Sequence, residues 1–200
     1  MEQRQGLRLA VIIGSVREGR AGPMVARWFA GQAGAHGAFE VDLIDLADVP
    51  LPLELPPVPP ALEPELPRPA SMADLTRRLT AADAFVVVTP EYNRSFPASV
   101  KAAIDWHYTE WQAKPVGFVG YSGGSGAVLA IEQLKLVFAE LSAHAVRNSV
   151  CFPRYYLLFG EDGALKDPTE PEAAATTMLE ELRWWGDVLA GARRDRPLTA

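Results

Sequence analysis

Cysteine is nearly absent from this chain: Cys151 is the single one in 200 residues, which excludes an intrachain disulfide and any cysteine-built metal site. No apolar run approaches the ~20 residues that a helix needs to cross a bilayer. No block of Lys or Arg marks a surface for nucleic acid or anionic lipid, so neither a nucleic-acid nor a membrane partner is expected. The three histidines, His36, His107 and His144, lack the H-x-x-x-H type of spacing, and no metal is expected. Met1 to Gly6 do not follow the charged-then-apolar layout of a signal peptide, so a cytoplasmic location is the expectation. Neither G-x-G-x-x-G nor a Gly-Lys-Ser/Thr phosphate loop occurs, and no nucleophile–base set stands out.

What remains is ordinary globular material. Of the residues, 48% are hydrophobic and 22% charged, and the formal net charge is -6. That length and composition fit one domain over 1–200 with a sizeable core. Leu7 to Ile13 is a Leu/Val/Ile run ending in Gly14-Ser15, the pattern of a buried strand entering a turn. From about Gly22 to Ala33 the spacing turns helical, with Pro23 in the first turn. Phe39 to Leu46 alternates as a second strand. Nine prolines between Val49 and Pro69 predict an extended surface loop, because proline lacks the amide donor and fixes φ.

Beyond that loop, Met72 to Ala82 reads as a helix and Ala84 to Thr89 as a central parallel strand. Pro97 to Trp106 is helical, Pro115 to Tyr121 a fourth strand, and Ala127 to Leu141 a helix. His144 to Cys151 makes a fifth strand, and Glu172 to Leu189 a long amphipathic closing helix. Strand–helix alternation of this kind predicts an α/β three-layer sandwich, a five-stranded parallel sheet in the flavodoxin-like order 2-1-3-4-5.

In such sheets ligands lie beyond the carboxyl ends of the strands, near the reversal of strand order. Three turns there carry unusual residues. Gly14 to Gly22 joins a strand to a helix N-terminus, which attracts phosphate, and adds Ser15, Arg17 and Arg20 as donors. Ser15 as a plain cap with solvated arginines is the competing reading. Thr89 to Pro97 sets polar and aromatic residues, with Tyr92 and Asn93 among them, at the end of the most hydrophobic strand. A proline-bracketed turn competes there, although loop residues of this type more often serve ligands. Tyr121 to Gly126 holds three glycines in four positions, which lets backbone approach a ligand closely.

These residues resemble the NADPH-dependent FMN reductases, flavodoxin-like enzymes that include quinone, azo-dye and chromate reductases. The likeness rests on Gly14-Ser15-Val16-Arg17-Glu18-Gly19-Arg20, on Pro90 to Pro97 continuing through Lys101 to Trp106, and on the glycine turn at 121 to 126. It implies that Ser15, Arg17 and Arg20 hold the FMN phosphate. It implies likewise that Pro90, Glu91, Tyr92 and Asn93 contact the ring and ribityl parts, and that Ser122, Gly123 and Gly124 approach the pyrimidine edge. The resemblance further implies NADPH or NADH as reductant, a small-molecule electron acceptor, and a homodimer or homotetramer. Many relatives carry serine where Arg20 stands, and the proline segment 49–69 is longer than usual.

The expected activity is ping-pong transfer of two electrons from NAD(P)H to a quinone, azo compound or flavin. The cofactor is the reactive group, so no protein residue is expected to act as nucleophile or acid/base. The alternatives are an electron carrier like flavodoxin and a flavin-binding protein without turnover. Among the other residues, His36 is expected to be solvent exposed, His107 at the surface or an interface with the acceptor pocket as the lesser reading, His144 in a structural role and Cys151 as a core thiol. Trp106, Tyr108 and Trp111 are expected to form a dimer contact, with an acceptor platform as the lesser reading. Trp184 and Trp185 are expected to anchor the last helix.

Overall fold

The computed structural model describes residues 6–64, 67–196 and Leu198. Five strands form one parallel sheet in the order β2-β1-β3-β4-β5, the arrangement expected from the alternation of elements. They are β1 (Leu7–Ile13), β2 (Phe39–Asp45), β3 (Ala84–Pro90), β4 (Pro115–Ser122) and β5 (His144–Pro153). The helices are α1 (Gly22–His36), α2 (Ala73–Ala81), α3 (Ala98–Asp105), α4 (Val128–Glu140), α5 (Tyr155–Leu158) and α6 (Thr169–Asp195).

Because side chains alternate across a strand, each central strand feeds two cores. Leu9, Val11 and Ile13 of β1 pack with Val25 and Phe29 of α1 and Met178 and Leu182 of α6. Ala10 and Ile12 face the other way, into a core with Leu75 and Leu79 of α2, Ile104 of α3 and Leu134 and Phe138 of α4. β3 is buried along its whole length, as its continuous apolar run requires.

Three sequence expectations change here. The closing helix runs from Thr169, with Pro171 tolerated in its first turn, on to Asp195. The short helix α5 and the last two residues of β5 lie beyond the expected end of the fifth strand. Trp111 is not a dimer contact: it is buried between Phe85 and Phe138, with ring centroids at 4.7 and 5.5 Å. Trp106 is buried too, its Nε1 donating to the Pro52 carbonyl at 2.8 Å.

The histidines also move inward. His107 is buried, with Nδ1 on the Ala103 carbonyl and Nε2 on Thr76 Oγ1, and burial lowers its pKa. His36 is half-buried and meets Glu180 at 3.0 Å. His144 stacks on Trp185 at 3.8 Å, in keeping with a structural role, while Trp184 stays exposed. Cys151 is only half-buried, and burial raises its thiol pKa. The described part of the proline segment contains no helix or strand, as its composition demands.

Lys114 is the most unusual charge in the fold. Its Nζ is buried and donates to the Leu79 and Thr80 carbonyls at 2.9 and 3.0 Å, closing the C-terminal end of α2. Burial, helped by nearby Arg193, pushes its pKa from 10.5 down to about 8. Between those values the unfolded chain holds a proton that the folded chain has lost, so this group makes stability rise with pH across that window. The stability gap between the native protein and Lys114→Met should therefore widen in favour of the native protein by about 2 kcal/mol from pH 8 to 9.5. Urea unfolding at the two pH values measures it, and a constant gap would contradict this account.

Candidate functional site

The carboxyl ends of β1, β3 and β4 meet where the strand order reverses, and their loops enclose a cleft of about 230 Å³. Eight of the ten expected residues line it: Ser15, Arg17, Arg20, Pro90, Glu91, Tyr92, Ser122 and Gly123. Asn93 and Gly124 lie outside the lining, both exposed. The other lining residues are Ala21, Tyr121, Tyr155 and Tyr156.

The first loop brings donors to the N-terminus of α1. No side chain caps that helix; Pro23 has no amide and the Met24 and Val25 amides are bonded to the Ala21 carbonyl at 3.0 and 3.2 Å, so the helix offers the cleft the positive end of its dipole. Ser15 is buried beneath the loop, and its Oγ pairs with the Tyr92 hydroxyl at 2.8 Å, tying the first loop to the second. Arg17 is exposed and lies over the Tyr92 ring at 5.8 Å.

Arg20 is held differently from a free phosphate clamp. Its guanidinium forks onto Asp45 at 2.5 and 2.7 Å and also donates to the Ser15 carbonyl at 2.8 Å. The Asp45 hydrogen bond raises the Arg20 pKa and burial opposes it. Parallel pairing of β1 with β2 sets Ile13 against Asp45, which places the carboxylate beside the loop that carries Arg20. The bidentate pair thus fixes the loop, and Arg17 is the arginine left facing outward.

In the second loop, Tyr92 and Ser95 exchange backbone hydrogen bonds at 2.7 and 3.0 Å around Asn93 and Arg94. Both central residues have positive φ, 51 and 70°, the signature of a type I′ turn, in which asparagine is favoured. Gln133 of α4 grips this turn through the Arg94 carbonyl and Ser95 Oγ at 2.6 and 2.7 Å. Glu91 reaches across to the third loop, accepting from Ser125 Oγ and from the Leu129 amide in the first turn of α4, both at 3.1 Å. A carboxylate at a helix N-terminus is favourably placed.

In the third loop, Ser122 Oγ accepts from the Gly124, Gly126 and Ala127 amides at 3.2, 2.8 and 3.3 Å. The turn therefore folds around its own serine and leaves Gly123 and Gly124 uncrowded at the surface, with nothing near the position of an added Cβ.

Three tyrosines complete the wall. Tyr121 is buried, Tyr155 meets it edge-on at 5.4 Å, and Tyr156 continues outward at 5.8 Å and is exposed. Tyr121 opens the glycine motif and was visible in the sequence, but Tyr155 and Tyr156 fall past the expected end of the fifth strand. The adjacent aromatic pair is the signal that could have marked them. Burial raises the Tyr121 pKa far above its ordinary value, while Ser15 and Arg20 pull the other way. The arrangement suits an anion held at a helix N-terminus, with a planar group on the rim formed by Tyr92 and the glycine turn. Among the described residues no group of His, Cys, Asp and Glu is placed to hold a metal, and no helix is long and apolar enough to cross a membrane.

Comparison with known proteins points the same way. The family model for NADPH-dependent FMN reductase matches residues 7–156. A NAD(P)H-dependent FMN reductase of Schizosaccharomyces pombe is 31% identical over 178 residues, covering 88% of this chain and 85% of its own. A quinone reductase of Pseudomonas putida is 32% identical over 177 residues, with 82% and 87% covered. Among solved structures, FerB, a flavoenzyme NAD(P)H:(acceptor) oxidoreductase from Paracoccus denitrificans, superposes with a TM-score of 0.71. It is 25% identical and is covered over 98% of its length by 91% of this chain.

Proposed function

Because the chain belongs to the NADPH-dependent FMN reductase family, we propose that the cleft between its three loops is the seat of FMN and that a nicotinamide and then a small acceptor use its open side. The observation that carries this reading is the convergence of Ser15, Arg17, the positive end of α1 and the buried Tyr121 hydroxyl on one small cleft. Those groups match a phosphate monoester, which wants donors and positive charge. At about 230 Å³ the cleft is below the size of most complete ligand sites, so it takes the phosphate end and leaves the ring system on the rim. Access by two substrates in turn requires such a rim.

The chemistry supplied by bound FMN is a two-electron relay from NAD(P)H to an acceptor such as a quinone, an azo compound or a flavin. The protein's own residues bind and orient. Ser15 and Arg17 hold the phosphate, while Arg20, paired to Asp45, sets the loop that presents them. Pro90, Tyr92 and Asn93 carry the ring and ribityl contacts, Glu91 fixes the third loop, and Ser122, Gly123 and Gly124 shape the pyrimidine edge. No side chain need move a proton. The electron-carrier and non-catalytic alternatives are not favoured by relatives that are reductases.

The reading extends to one flavodoxin-like domain over 1–200, a cytoplasmic location and a homodimer or homotetramer. Exposed Leu136 on α4 and Trp184 on α6 support assembly, as apolar side chains that a partner would cover. The test is the visible spectrum of the purified protein under anaerobic titration with NADPH. Flavin absorbance should bleach, and should return when a quinone is added. A protein that neither carries nor takes up FMN would refute the proposal.

A further inference from the structure

Among the described residues of the cleft, the Tyr121 hydroxyl is the one buried side-chain polar atom that no hydrogen bond within the chain accounts for. Its residue is 3% exposed, and the hydroxyl is a buried polar atom without a hydrogen-bond partner. The Ser15 hydroxyl, close enough to help hold the Tyr121 pKa down, is joined through its Oγ to Tyr92 at 2.8 Å and makes no hydrogen bond of good geometry to the phenol. The hydroxyl sits against the first residue of α1: a Cβ on Gly22 would come within 2.9 Å of it, so glycine there leaves the phenol room to stand at the helix N-terminus. An orphaned buried hydroxyl costs stability, and phenylalanine would fill the same space without that cost.

We propose that the Tyr121 hydroxyl is a donor to the 5′-phosphate of FMN. This rests on the cleft being the flavin site. It takes the place of the Arg20 fork, which Asp45 occupies. With Arg20 so engaged, the phosphate is met by one guanidinium, Arg17, by the positive end of the α1 dipole, and by hydroxyls. Tyr155, edge-on to the Tyr121 ring at 5.4 Å, packs against the phenol and restrains it from swinging to water. The orphan is thus a donor held ready for a ligand oxygen, so the residue sets a preference for the phosphorylated cofactor over the bare ribityl alcohol.

The experiment compares the full chain with Tyr121→Phe, both stripped of flavin, by quenching of flavin fluorescence with FMN and with riboflavin and by thermal melting of the apoproteins. A hydrogen bond to a charged oxygen predicts FMN binding weakened roughly 10- to 100-fold. Riboflavin binding should be unchanged, and the variant apoprotein should melt no lower than the parent. Unchanged FMN affinity would overturn the proposal, as would equal weakening of both flavins, which marks a packing role. A parent protein that binds FMN no better than riboflavin would overturn it by removing the phosphate site. A parent that binds neither would instead refute the flavin reading on which it rests.

Discussion

Gly120→Ala is expected to lower the melting temperature by about 6–12 °C and to release the flavin. Gly120 lies in β4 between Thr89 of β3 and Cys151 of β5. The loop that follows folds straight back over it: an added Cβ would collide with the Gly126 carbonyl oxygen and would lie 2.9 and 3.0 Å from Ile131 Cδ1 and Ala127 Cβ. The Ile131 side chain can rotate away. The Gly126 carbonyl cannot, because Gly126 and Ala127 hold φ near 70° and the Gly126 amide is bonded to Ser122 Oγ at 2.8 Å.

Relief therefore has to come from lifting the turn and the N-terminus of α4 off the sheet. Overpacking of side chains costs typically 1–3 kcal/mol, and a clash with fixed backbone belongs at the upper end, about 3 kcal/mol. The same shift pulls the Leu129 amide from Glu91 and opens the edge of the cleft. Melting followed by circular dichroism, with flavin content read at the same time, measures both parts. A variant that melts within about 2 °C of the parent and keeps its flavin would show that the turn yields cheaply.

The sheet was legible in the sequence because burial on both faces leaves an unbroken apolar record, as in Ala84 to Val88, and because strand and helix periods differ. The three loops were legible because glycine, proline and clustered polar residues at strand ends have few packing uses. What escaped was partnership across distance. The segment around Arg20 shows only a charge beside a phosphate-type turn, with no sign of a bidentate partner. Asp45, which takes that charge, is 25 residues away and adjacent only through the β1–β2 register. His107 and Trp111 looked like interface residues for a similar reason, since composition cannot show that Thr76 and Phe138 close over them. Asn93 carried a cofactor expectation, and the structure adds a local cause, the positive φ of a type I′ turn.

Arg68→Ala is expected to cost about 3–5 kcal/mol and to free the proline segment for proteolysis. Arg68 Nη2 pairs with Glu110 at 2.9 Å, and the side chains are only 14% and 6% exposed. The Arg68 Nε also donates to the Trp106 carbonyl at 2.8 Å. Since the Trp106 ring holds the Pro52 carbonyl at the other end of the segment, one residue of the α3 cap pins both ends of the proline tract. Glu110 accepts in addition from the Tyr108 amide at 3.0 Å, so it is fixed in place and cannot follow its lost partner into water. Truncating Arg68 strands that carboxylate, which is where the penalty comes from, rather than from the net worth of the pair. The paired replacement Arg68→Met with Glu110→Leu removes both charges and should recover most of the loss. Thermolysin reports on the tract directly, because Leu53, Leu55 and Leu62 are already exposed and lack only local unfolding to be cut. Rapid nicking is expected in Arg68→Ala and slow nicking in the double variant. Equal nicking in the parent and Arg68→Ala would mean that Trp106 and the prolines hold the segment down without the ion pair.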